Sequence, residues 1–158
     1  MVRYAKDTKV SQENSCVEIM RIVTRYGATG FGVDYTDGKA IIGFRMKGKF
    51  IRLALAMPDK NSDEIKNTPS GRYRPESQRK SALEQSMKQR WRVLALMVKA
   101  KLEAVESGIT TIEEQFFGSL LLPNGKTVAE HVGPMVERAY QTGEIPALLP
   151  FSGGKQHG

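Results

Sequence analysis

The chain reads as an α+β domain: an N-terminal helix, a three-stranded antiparallel meander, a long central helix and two shorter C-terminal helices. Three observations predict it. Between Thr29 and Met57 apolar residues alternate with small or polar ones, and Asp37-Gly38 and Lys47-Gly48 cut the run into three strands. From Leu83 to Val105 the apolar spacing changes to three and four, the period of a helix. Beyond Gly108, Thr110 with Glu113 and Thr127 with Glu130 each form the capping-box pattern that opens a helix.

The elements follow in order. Ser11 is placed to cap a first helix running to about Tyr26, with Val17, Met20 and Val23 (or Thr24) on one face and Gly27 ending it. The first strand then sets Phe31, Val33 and Tyr35 to one side, the second Ala40, Ile42, Phe44 and Met46, and the third, Lys49 to Met57, Ile51, Leu53 and Leu55. The opposite face collects Gly30, Gly32, Ile41, Gly43, Arg45, Phe50, Arg52 and Ala54. Small residues there let another strand or a base approach the backbone closely. A covering helix or a second copy of the chain is the other expectation for that face.

Pro58 ends the sheet, and residues 59–75 have turn composition throughout. A connection this long in a compact domain is expected to be a binding loop. The long helix starts near Pro75 or at Ser81 and runs to Ser107, where Gly108 stops it. Around Val93 to Val98 it is apolar on every side, which predicts a central rod of the core. Pro123-Asn124-Gly125 separates the last two helices, and Pro134 is expected to kink or split the second. Residues 1–151 form a single domain in this reading, Ile145 to Phe151 an apolar strap docked on the body, and residues 152–158 a flexible tail.

The charge has a direction. The chain carries +7 overall, but residues 1–101 hold 21 basic and 10 acidic side chains whereas residues 102–158 hold 3 and 7. Ten of the cations fall between Lys66 and Lys101 against two acids. A one-sided basic field predicts a polyanionic partner, with nucleic acid the leading candidate. Arg72, Tyr73, Arg74, Arg79 and Lys80 sit on the loop and helix start, and Lys88, Arg92 and Lys99 follow along the helix. Guanidinium forks suit phosphate, a tyrosine ring suits an unpaired base, and a helical row of cations suits a sugar-phosphate backbone. Arg45, Arg52 and Phe50 make a second basic and aromatic patch on the sheet. Arg90 and Lys101 lie nearer the apolar stripe and are expected to snorkel.

Other chemistries are poorly served. His131 and His157 are distant in sequence and Cys16 is alone, so no structural zinc set exists and no metal or other cofactor is expected. Asp59 followed by Glu64-Ile65-Lys66 has the residue types of a metal-dependent nuclease at the wrong spacing. No phosphate-binding glycine loop and no serine elbow is present. A non-catalytic protein is expected. Cys16, beside Val17 and Ile19, reads as a small buried hydrophobe in a reducing compartment. With neither a secretory leader nor a run of 18 apolar residues, a cytoplasmic protein with no membrane partner is the expectation.

Arg25-Tyr26-Gly27-Ala28-Thr29-Gly30-Phe31-Gly32, together with Gln89-Arg90-Trp91-Arg92 and Lys99 through Val105, resembles short proteins of unassigned role carried by bacteriophages and prophages. The resemblance implies a phage or mobile-element origin and brings no catalytic residue. The order of helix, meander, basic loop and long helix is separately similar to the core of single-strand annealing proteins, which implies single-stranded DNA held between sheet and helix. The expected function is therefore single-stranded nucleic-acid binding, as an accessory to recombination or replication. The oligomeric state is left open, a homo-oligomer joined through the glycine-rich sheet face or an edge strand being one arrangement that would strengthen such binding. Docking on an acidic surface of another protein, as inhibitor or adaptor, is the alternative.

Overall fold

The computed structural model describes residues 2–145, with side chains from Asn14 onward. Helix α1 spans Val2–Arg25, strands β1, β2 and β3 span Thr29–Thr36, Lys39–Met46 and Lys49–Ala56, and a short helix α2 spans Asp63–Lys66. Helix α3 runs Glu76–Glu106, α4 Ile112–Phe116 with a 3-10 turn at Phe117–Ser119, and α5 Val128–Thr142. The expected α+β order is present. The strap and tail beyond Ile145 lie outside the described residues.

The sheet is the meander β1-β2-β3, antiparallel throughout. Both hairpins close on two residues with positive φ, Asp37 (48°) with Gly38 (70°) and Lys47 (48°) with Gly48 (76°), the turn whose twist matches the strands it joins. Gly30, at φ 63°, sits where the β1–β2 register shifts between Thr29 and Gly32. That bulge takes one extra residue out of the ladder, and only a residue without Cβ accepts the conformation cheaply.

One sheet face is the floor of the core. Ala40, Ile42, Phe44, Met46, Ile51 and Leu53 are buried beneath Ile19 and Val23 of α1 and Trp91, Leu94, Ala95, Val98 and Leu102 of α3. Phe44 meets Phe116 of α4 edge to face at 6.0 Å, closing the end of the layer. Leu121 donates its backbone N–H to Phe50 O (2.8 Å) and Leu120 bridges Ile51, so the chain after α4 covers part of the β3 edge.

Several elements differ from expectation. Helix α1 begins at Val2, leaving Ser11 in mid-helix: residues 2–10 contain no breaker, and an interior serine costs a helix only a few tenths of a kcal/mol. Its inner face is Ile19 and Val23, whereas Val17 and Met20 are exposed. The capping box of α4 is Thr111 with Glu114, one residue later than predicted, and Thr110 instead donates its hydroxyl to the same carboxylate. Of the two outcomes expected at Pro134, a kink or a split, α5 is not split: Pro134 lies within the helix, where it has no N–H to donate to Glu130 O. Most consequential, α3 is no central rod. Val93 (58%), Leu96 (59%) and Met97 remain exposed, because α1 and the sheet cover only the Trp91–Leu94–Val98–Leu102 side.

Candidate nucleic-acid interface

The connection between β3 and α3 is built rather than loose. Ile65, on α2, is buried and pins the connection to the body. Glu64 beside it accepts from the Ser86 hydroxyl (2.8 Å) and from Arg90 Nη2 (3.1 Å), tying α2 to α3. The Ser86 hydroxyl, and secondarily the Arg90 charge, hold the Glu64 carboxyl below its ordinary range against the opposing effect of burial. Arg74 donates Nη1 to Glu64 O (2.7 Å) and Ile65 O (3.2 Å), the carbonyls at the end of α2. Asn67 and Tyr73 bridge as antiparallel partners, with Gly71 at φ 85° turning the chain between them. Residues 67–74 thus form a hydrogen-bonded finger tied to α2 and to the start of α3.

Where the finger returns to the body, Arg79 in the first turn of α3 does two things. Nε donates to Arg74 O (2.9 Å), and its guanidinium lies 4.3 Å from the centroid of the Tyr73 ring. One side of that ring is occupied, yet Tyr73 is still 71% exposed. Arg72 next to it is exposed as well. Arg79 also lines a cleft of about 780 Å³ together with Lys60, Lys80, Asn61, Glu76, Ser77 and Leu83. Three cations and one carboxylate face this space, and the tyrosine shelf shares Arg79 with it.

The remaining expected residues are placed differently. Lys88, Arg92 and Lys99 are exposed along α3, but Lys88 is nine residues from Arg79, about two and a half turns, so that row lies on the opposite side of the helix from the shelf. Arg74 is committed to carbonyls. On the sheet, Arg45 covers the Phe50 ring at 5.5 Å, and that ring lies against Gly43, whose added Cβ would sit 3.3 Å from it. Phe50 is half-buried, with Arg45 and Gly43 as neighbours of its ring. Arg52 donates Nη2 to both oxygens of Glu130 (3.0 and 2.8 Å) and Nη1 to Gly125 O (3.0 Å), which makes it a clamp on the start of α5. The Thr127 backbone N–H first, then Arg52, lowers the Glu130 carboxyl from its ordinary value.

Arg90 and Lys101, expected to snorkel, instead reach backbone: Arg90 Nη1 donates to Ala56 O (2.9 Å) and Lys101 Nζ to Gln115 O (2.7 Å). Lys60 is the one lining cation the sequence reading passed over. It stands in the same turn-rich stretch as Arg72, between Asp59 and Asn61, and that position was its only signal. Cys16 is half-buried, with Sγ 3.2 Å from the Tyr35 hydroxyl. Among the described residues no three His, Cys, Asp or Glu side chains come close enough to hold a metal ion, and no helix is long and apolar enough to cross a membrane.

The fold and this constellation define a basic, one-sided α+β protein with an aromatic shelf. No known protein family, no curated protein and no solved structure matches the chain.

Proposed function

We propose that the chain binds single-stranded nucleic acid at the finger and the cleft beside it, without chemistry on the strand. The observation that carries this reading is Tyr73, which is stacked on Arg79 on one side and open on the other. A ring held in place by a guanidinium has already lost its rotamer freedom, so a base stacking on the free face gains the contact without that ordering cost. Lys60, Arg72, Arg79 and Lys80 supply the charge for the phosphates on either side. A duplex hides its base faces, so the shelf favours an unpaired strand. The origin suggested by the phage-like wording and a role beside recombination or replication enzymes belong to the same proposal.

Fluorescence anisotropy with labelled single- and double-stranded oligonucleotides tests it. With four phosphates neutralised, the log-log salt slope should be about −3, roughly a fiftyfold loss of affinity between 50 and 200 mM salt. Equal affinity for duplex would remove the stacking role, and no binding at low salt would overturn the reading. A basic surface also suits an acidic protein. Retention of a partner after nuclease treatment in a pull-down would transfer the site to that class.

A further inference from the structure

The short helix α2 ends in carbonyls that need donors from outside it. Asp63 O accepts from Asn67 N–H (2.9 Å) in the helical manner. The next two carbonyls cannot do the same. Thr68 N–H, four residues beyond Glu64, donates to Arg72 O instead (2.7 Å), and Pro69, four beyond Ile65, has no N–H. Residue 74 closes all three that remain. Arg74 Nη1 donates to Glu64 O (2.7 Å) and Ile65 O (3.2 Å), and Arg74 N–H donates to Lys66 O (2.7 Å).

The same residue anchors the shelf. Arg74 O accepts from Arg79 Nε (2.9 Å), and the Arg79 guanidinium lies over the Tyr73 ring. A continuous set of contacts therefore runs from the α2 carbonyls through Arg74 to Arg79 and ends on the ring. The side chain of Arg74 lines a pocket of about 460 Å³ with Glu64, Asn67, Gln85, Ser86 and Gln89. That pocket shares no residue with the cleft of Lys60, Arg79 and Lys80. A cation held there serves backbone oxygens rather than a strand in the cleft.

We propose that Arg74 is a positioning residue of the nucleic-acid site: it touches no phosphate, and it sets the Tyr73 and Arg79 pair by holding residue 74 against the end of α2. The inference rests on reading the shelf as that site. Without the side-chain bonds, residue 74 keeps only its N–H on Lys66 O, a single pivot. The order that spares a stacking base its cost is then lost.

Two measurements test it, one of them without nucleic acid. In NMR spectra of the wild-type chain, the Arg79 Nε–H signal should exchange slowly and be displaced by the ring current of Tyr73. In Arg74→Ala it should move toward the position of a free arginine and exchange faster. In anisotropy titrations with a single-stranded oligonucleotide, R74A should weaken binding roughly two- to tenfold, the cost of re-ordering a side chain. Its log-log salt slope should match wild type, because no phosphate contact is removed. Added to Tyr73→Ala, R74A should cost almost nothing further, since it acts through the ring. Trp91 emission reports whether each variant keeps its core. Should R74A not fold, R74K, which keeps the charge and can reach one of the two carbonyls, carries the same readouts. An Arg79 signal that stays in place overturns the inference, whatever binds. So does unchanged affinity, a slope lowered by about one unit, or a loss that adds in full to that of Tyr73→Ala. A wild-type chain that binds no oligonucleotide overturns the nucleic-acid reading itself, and the role of Arg74 in binding falls with it.

Discussion

At the scale of the single residue, the shelf and the core make separate demands. Tyr73→Ala should weaken binding of a single-stranded oligonucleotide by about 1–3 kcal/mol, roughly five- to 150-fold, while Tyr73→Phe keeps the ring and should keep the affinity; anisotropy titrations read both. Arg79→Ala should cost more than its charge, because the Tyr73 ring is then released. In the core, Trp91 is almost fully buried and its Nε1 finds no acceptor among the described residues. An unpaired buried donor carries a desolvation cost, so Trp91→Phe trades that relief against lost area and should change stability by no more than about 1 kcal/mol, whereas Trp91→Ala should cost about 3–5 kcal/mol in urea unfolding. Tryptophan was legible in the sequence as part of an apolar stripe. Its missing partner was not, because satisfaction of a donor depends on atoms brought in from other elements.

At the scale of the element, the finger depends on Glu64. Its carboxyl is held low in the folded state, so unfolded chains bind more protons as pH falls toward the ordinary Glu range near 4.3. The stability it contributes is complete above that value and is lost as pH falls through the depressed folded value. Glu64→Gln should therefore lower the melting temperature near neutrality and flatten its fall below about pH 4.3, as measured by thermal melts at graded pH. Glu64 is largely exposed, so solvent screening keeps the effect small. For α5, Thr127→Ala removes the hydroxyl that accepts from Glu130 N (3.2 Å) and should cost about 1 kcal/mol of stability in urea unfolding.

The elements themselves were largely readable in advance. The meander announced itself through Asp37-Gly38, Lys47-Gly48 and the period-two alternation, all local signals. Position 11 misled because serine is a good cap and a tolerable interior residue, and only the neighbours decide between them. The uniform apolarity around Leu96 was visible too. What it meant was not, since periodicity states that a side is apolar without stating whether this chain or another one covers it.

At the scale of the molecule, the charge asymmetry resolves into three populations. Arg52, Arg74, Arg90 and Lys101 are structural ties, to carboxylates or to carbonyls. Lys60, Arg79 and Lys80 line the cleft at the N-terminal end of α3, Arg79 also tying Arg74 O, with Arg72 exposed beside Tyr73 on the finger, and Lys88, Arg92 and Lys99 run along the far side of α3. Sequence counts cannot separate these groups, because a guanidinium that closes a carbonyl and one that faces water have the same letter. The separation has a measurable outcome. Replacing Lys60 and Arg72 together by Ala should lower the magnitude of the salt slope by about one to two units, whereas replacing Lys88 and Lys99 should leave it nearly unchanged, as anisotropy titrations at several salt concentrations will show.

Trp91 is the chain's only tryptophan, and it sits between α3 and the sheet rather than near the shelf. Intrinsic emission therefore watches the interior alone. A bound oligonucleotide at Tyr73 leaves that spectrum where it was, blue and shielded from a dissolved quencher, while loosening of the α1–α3 layer turns it red. The protein thus carries its own optical control, which separates a variant that has lost its ligand from one that has lost its shape.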